Sequence, residues 1–204
     1  MDKPENYSSQ TLIKICPPEN LLKWSKKGQQ YSAAVQSLLT EKTFTVFPNI
    51  GEEQAAIVMS YLFDNCKRSM RILSHSFSGA FSDRSLYITS LQNFLAKDET
   101  EIYLLLEENS REKSVAFQII QDFVSNHPKR GGIKVLNDVA IAATIKNFKN
   151  NQLSMFAVGD ADMYRFETDN VTRESFSSFD HEKVGSQLVK IFTDGYNLSD
   201  NYLP

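Results

Sequence analysis

The chain has 204 residues, of which 41% are hydrophobic and 11% aromatic, enough for a sizeable buried core in one large domain or a domain with an appendage. With 22 basic and 25 acidic residues its net charge is -3, which excludes a global electrostatic pull toward nucleic acid or anionic membrane and leaves only a local basic patch open. No apolar run approaches the roughly 20 residues that cross a bilayer, so no membrane span is expected. Cys16 and Cys66 lack metal-ligand spacing and Met1–Gln10 lacks the pattern of a secretion signal, so the expected location is the cytoplasm.

In chain order, Met1–Gln10 is polar, Thr11–Ile15 alternates until Pro17-Pro18 stops it, and Glu19–Lys27 offers a helical turn or two around Leu21, Leu22 and Trp24. Gln30–Leu39 continues as a helix with Tyr31, Ala34, Val35, Leu38 and Leu39 at helical spacing. Residues 1–41 therefore read as a helical cap on a main domain, or as a docking segment for a protein partner. Trp24, beside Lys23, Lys26 and Lys27, is the candidate contact for either role.

Residues 42–204 read as one α/β domain. Thr43–Phe47 is a strand broken by Pro48-Asn49, and Gly51–Cys66 is a helix with Ala55, Val58, Met59, Leu62 and Cys66 on one face. Arg71–Phe77 is a strand, Asp83 caps a helix running to Ala96, and Glu101–Leu106 is a strand apolar enough to be covered on both faces. Ser110 caps a helix that ends before Pro128, Ile133–Leu136 is a short strand, and Asp138–Phe148 favours helix. Gln152–Glu167 is a hairpin around Gly159-Asp160-Ala161-Asp162, with Leu153, Met155 and Ala157 on one face of its first arm and Ser154, Phe156 and Val158 on the other. Asp180–Asp194 closes the chain as a helix stopped by Gly195. This alternation predicts a three-layer α/β/α sandwich on a mixed sheet.

The order helix, RILSHSF, helix, EIYLLL, helix, IKVLN, then QLSMFAVGDADMYRFE and a closing ESFSSFDHEKVGSQLVKIF helix resembles the phospholipase D-like fold from Phe44 to Asn197. The resemblance implies a site built on H-x-K-x-x-x-x-D, in which the imidazole attacks a phosphodiester, the amine neutralises phosphate oxygens and the Asp completes the site. Aligned on Asp160, the pattern puts Leu153 at the His and Met155 at the Lys; one residue earlier it gives Gln152, Ser154 and Gly159. Neither register supplies a nucleophile. Asp160, with Ser177, Ser178 and Glu182, keeps a match, so Leu153, Met155 and Asp160 form a vestigial motif. The resemblance also implies a homodimer, because such sites are assembled from two copies of the motif and this chain holds one.

Each polar residue near the motif has an ordinary structural account. Asp160 and Asp162 suit a turn, Arg165 and Glu167 suit a solvated strand face, and Ser177, Ser178 and Asp180 suit a helix start. His127 ends a helix and His181 opens one. His75 differs: it lies at the carboxyl end of a strand among Ser74, Ser76 and Ser78, the edge where open α/β sheets collect ligands. No cofactor is expected, and no metal, since no second ligand cluster accompanies His75.

Two functions follow from these residues. One is a non-catalytic phospholipase D-like module for binding, assembly or regulation in nucleic-acid-processing or defence machinery, with Trp24, His75 and Arg165 as candidate contacts. The other is a phosphodiesterase with a relocated site of His75, Arg165 and Glu167.

Overall fold

Alternating segments of helical and strand periodicity assemble, in a computed structural model, around one eight-stranded mixed sheet. The structure describes residues 24–41, 45–77, 81–109, 114–148, 151–169 and 171–202. The expectations for Met1–Gln10, Thr11–Ile15, Leu21, Leu22, Thr43 and the Ser110 cap lie outside these residues. The elements are α1 (Lys26–Glu41), β1 (Phe47–Asn49), α2 (Gly51–Asn65), β2 (Ser69–Ser74), α3 (Ser85–Leu95), β3 (Glu101–Leu106), α4 (Val115–Asn126), β4 (Gly131–Val135), α5 (Asp138–Ile145), β5 (Phe156–Gly159), β6 (Met163–Asp169), β7 (Glu174–Ser178), α6 (Glu182–Leu198) and β8 (Asp200–Asn201).

The strand order is β1-β7-β6-β5-β2-β3-β4-β8; β2, β3 and β4 are parallel and every other pairing is antiparallel. Side chains alternate across the sheet, so two cores form. On one face α1 to α4 pack Val35, Val58, Leu62, Tyr87, Leu91 and Phe117 against Met70, Ile72, Ile102, Leu104 and Ala157. On the other, α5 and α6 pack Ala140, Leu188 and Phe192 against Leu73, Leu105, Phe156 and Val158. The three-layer α/β/α expectation is borne out. Removing each large apolar side chain from water contributes roughly 1.5 to 3 kcal/mol, which is what holds the layers together. No helix among the described residues is long and apolar enough to cross a membrane.

Several expected boundaries move for identifiable reasons. Pro48 does not break β1: Phe47, Pro48 and Asn49 pair with Ser177, Phe176 and Ser175, and proline is tolerated because β1 is an edge strand. The strand expected over Arg71–Phe77 ends at Ser74, leaving His75 in the following bend. Asp83 does not cap α3; its Oδ1 accepts from Val115 N at 2.7 Å and so serves α4, whose N-cap is Ser114. Gly195 does not stop α6, which runs on to Leu198. A Cβ at Gly195 would lie 2.8 Å from Thr144 Oγ1, so the missing side chain is what lets α6 cross α5 closely.

The face assignment of the hairpin is corrected as well. Leu153 and Met155 precede β5, so the strand alternation does not reach them; Met155 is buried with Phe156 and Val158 under α5 and α6, while Ala157 faces the α1 to α4 layer.

One transverse row summarises how the sheet is covered. Leu105, Leu73, Phe156, Phe166, Phe176 and Pro48 stand at one register across β3, β2, β5, β6, β7 and β1. The first three are buried, Phe166 is half-buried, and Phe176 and Pro48 are exposed.

Candidate functional site

The edge formed by the carboxyl ends of β2 and β3 carries His75. The ladder continues one step past both strands, with Glu107 N donating to Ser74 O and Glu108 N to His75 O at 2.9 Å each. This places two carboxylates against one imidazole: Glu107 Oε2 is 2.6 Å from Nδ1 and Glu108 Oε1 is 3.1 Å from Nε2. The ring is exposed, so the contacts orient it without removing it from water.

The same edge of the sheet, two strands away through β5, carries Arg165 and Glu167. They share a face of β6 as the alternation requires, but it is the core face and not a solvated one: Arg165 is 4% and Glu167 3% exposed. Arg165 Nη1 meets Glu167 Oε1 at 2.5 Å, its Nε donates to Asn49 Oδ1 at 2.9 Å and its Nη2 to Arg173 O at 3.2 Å. Arg173 reaches the other oxygen of Glu167 at 3.4 Å. Asn49 in turn donates to Ser177 Oγ and accepts from Ser175 Oγ. Burial pulls the Arg165 guanidinium below its ordinary pKa, and the Glu167 carboxylate beside it works against that shift. Burial likewise pushes up the Tyr31 and Tyr87 phenols, against the pull of Arg165.

His75 is therefore not joined to Arg165 and Glu167; its ring nitrogens go to Glu107 and Glu108, which the sequence reading did not single out. The signal was present in principle, since both acids directly follow a strand parallel to the one that precedes His75. Asn49, Ser175 and Ser177 were also missed as a group, because they meet only through the pairing of β1 with β7. Trp24 stands half-buried before α1, with its carbonyl accepting from Gln29 Nε2.

Asp160 lies at the opposite edge, in the β5–β6 turn, where it and Ala161 adopt φ of 49° and 73°. Its carboxylate accepts from Lys67 N at 2.5 Å and from Arg68 N and Ser69 N at 2.8 Å each, and the Cys66 thiol donates at 3.3 Å. Burial raises its pKa, but these donors outweigh burial and hold it below the usual carboxylate range. The side chain thus ties the hairpin to the start of β2. Burial, then the charge of Asp160 and a hydrogen bond to it, push the Cys66 thiol up to about 12, so it is not a nucleophile.

Beside this turn lies a cavity of about 540 Å³ lined by Leu38, Lys67, Arg68, Asp162, Phe179 and Asp180 among others. His181 precedes α6 and meets Tyr164 OH at 3.3 Å through Nδ1; His127 stacks on Phe123. Among the described residues no group of His, Cys, Asp and Glu is arranged to hold a metal ion.

With this geometry in view, solved structures supply a comparison. The chain is similar to Nuc, a phospholipase D family member from Salmonella typhimurium, with a TM-score of 0.53 and 12% identity over 79% of this chain and 100% of that one. The fold is phospholipase D-like. NucT from Helicobacter pylori gives 0.52 at 10% identity over 78% and 100%. TrmBL2, an archaeal chromatin protein with a novel mode of DNA binding, gives 0.53 at 12% identity over 95% of this chain and 66% of its own. No family model matches the chain, and no curated protein matches it.

Proposed function

We propose that this chain is a phospholipase D-like module that acts by binding rather than turnover, as an assembly or regulatory part of nucleic-acid-processing or defence machinery in the cytoplasm. The observation that carries this reading is at the start of β5. In the register set on Asp160, hydrocarbon Leu153 and Met155 fall at the imidazole and amine positions of the family signature, the register one residue earlier offers Gln152 and Ser154, and Met155 is 4% exposed beneath α5 and α6. A phosphoryl-transfer site needs an accessible lone pair and a cation free to meet developing charge. Arg165 and Glu167 do not replace them, since each is buried against the other. The DNA-binding chromatin protein of the same fold supports a nucleic-acid setting, whereas a net charge of -3 argues for contact through a protein partner over broad phosphate attraction.

The single motif copy supports a homodimer within this reading, though Met155, being buried, is no part of its interface. Purified chain is expected to leave single-stranded DNA, RNA, phospholipid vesicles and an aryl phosphodiester uncleaved, and to scatter light as a particle near twice 23.2 kDa. Turnover that disappears in His75→Ala would overturn the binding reading, and a mass of one chain would remove the dimer from it.

A hydrolase at His75 is favoured by one observation, the Glu107 carboxylate that orients its Nδ1. Glu108 weakens it by occupying Nε2, the nitrogen that would attack. The same assay decides.

A further inference from the structure

The cavity beside the β5–β6 turn holds charges of both signs that the described fold does not pair. Lys67 and Arg68 stand on its β2 side, and Asp162 and Asp180 on the side formed by the hairpin and the approach to α6. Among the described residues none of these four side chains forms an ion pair. Asp160 does not serve the two cations, because its carboxylate is taken by the Lys67, Arg68 and Ser69 amides and by the Cys66 thiol. Asp162 Oδ1 is buried and meets no donor among the described residues. A buried acceptor without a donor is unfavourable, so its place in a cavity wall calls for a donor that enters the cavity.

The walls are fixed by bonds of their own. The three amides that Asp160 accepts hold the start of β2 on the hairpin, and His181 N donates to Asp162 O at 2.7 Å, which holds the start of α6 on the same turn. Phe179 stacks on Phe47 with ring centroids 5.5 Å apart and meets the edge of Tyr61 at 6.5 Å. With Leu38 from α1 and Met163 from β6 it gives the cavity an apolar lining. The volume, about 540 Å³, is that of a small-molecule site.

We propose that this cavity binds a small zwitterion with an apolar body, of the size of an apolar dipeptide or a free aromatic amino acid. The ammonium goes to the Asp162 carboxylate with Asp180 adjoining, the carboxylate goes to Lys67 and Arg68, and the hydrocarbon goes to Leu38, Met163 and Phe179. The charges select this chemistry. A simple anion would leave the two aspartates unmatched, and a simple cation would leave Lys67 and Arg68 unmatched. An uncharged apolar molecule would take water from all four and return no partner. A ligand with both charges on an apolar body matches each wall and the lining together.

The cavity lies at the opposite edge of the sheet from His75, so the inference is independent of whether turnover or binding occurs there. The test titrates phenylalanine and leucyl-leucine into the full-length chain at pH 7 by calorimetry, each beside its N-acetylated and its C-amidated form. At least one of the two zwitterions is expected to bind with a Kd below about 1 mM and to raise the melting temperature, and the one that binds tells an amino acid from a peptide. Its acetylated form, which lacks the ammonium, and its amidated form, which lacks the carboxylate, are each expected to bind at least about tenfold more weakly. Asp162→Asn, which keeps the size of the side chain, should weaken binding by about tenfold or more, and so should Lys67→Gln with Arg68→Gln, made at two exposed positions whose loss leaves the fold intact. Absence of binding by both zwitterions, capped forms that bind as tightly, or either variant with unchanged affinity would overturn the proposal.

Discussion

Arg165 is the residue around which the polar interior of the β1-β7-β6 end is organised. A buried guanidinium is tolerable only when its charge and its donors are matched, and here Glu167, Asn49 and the Arg173 carbonyl match them. Arg165→Met should therefore cost about 3 to 5 kcal/mol, because it strands the Glu167 carboxylate in a dry setting with only the longer Arg173 contact left. The double substitution Arg165→Met with Glu167→Leu should recover most of that loss, since an apolar pair of similar volume needs no partner. Urea unfolding of the three proteins checks this; a double variant as unstable as the single one would show that the pair is not the governing interaction. From sequence the two residues alternate like a solvated strand face. What hides their burial is that β7 was not legible: Glu174–Ser178 has serine at Ser175 and Ser177, both 0% exposed, where a strand facing a core would ordinarily show apolar residues. The hydroxyl partners sit on Asn49, more than a hundred residues earlier, and no local pattern carries that.

At the scale of elements, periodicity made α2, α3 and α4 readable, because each buries one face against the sheet, and β3 was readable as an apolar run because it is covered on both faces. Caps were less readable, because a capping side chain is defined by which N–H it meets in space. α4 is the instructive case. Ser114 Oγ accepts from Phe117 N at 3.1 Å and donates to Phe77 O at 2.9 Å, and Asp83 from the loop before α3 takes Val115 N. Ser114→Ala should cost about 2 kcal/mol, the upper end for a cap, because it also leaves a buried carbonyl unmatched. Asp83→Ala should cost about 1 kcal/mol and should speed amide exchange at Val115 and not in the first turn of α3. Faster exchange in α3 would return Asp83 to the role its sequence position suggests. Gly195 misled for a related reason: glycine marks a helix end when the backbone turns, but here it marks a close crossing of α6 over α5.

For the whole molecule, the cleft beside the β5–β6 turn gathers α1, the end of α2, β2, the hairpin and the segment that leads from β7 into α6. Its two hairpin carboxylates should set the acid dependence of stability with opposite signs. Asp160 has its pKa held down: burial raises it, but three backbone N–H groups and the Cys66 thiol prevail. Its contribution is thus full above the unfolded carboxylate value of about 4 and is lost as pH falls through the lower folded value. Asp162 is shifted the other way, by burial first and then by the charges of Asp160 and Asp180, and its Oδ1 is buried without a hydrogen-bond partner among the described residues. Its contribution is present below about 4 and lost as pH rises through the raised folded value, so the ionised form weakens the fold at neutral pH. Asp162→Asn should accordingly be more stable than the natural chain at pH 7, with the gain shrinking toward pH 3, whereas Asp160→Asn should be less stable at pH 7, with its deficit shrinking over the same acid range. Chemical denaturation of the three proteins from pH 3 to pH 8 reads both. An Asp162→Asn protein less stable than the natural chain at pH 7 would mean that its carboxylate holds the hairpin against α6, and that the buried oxygen is matched by a group beyond the described residues.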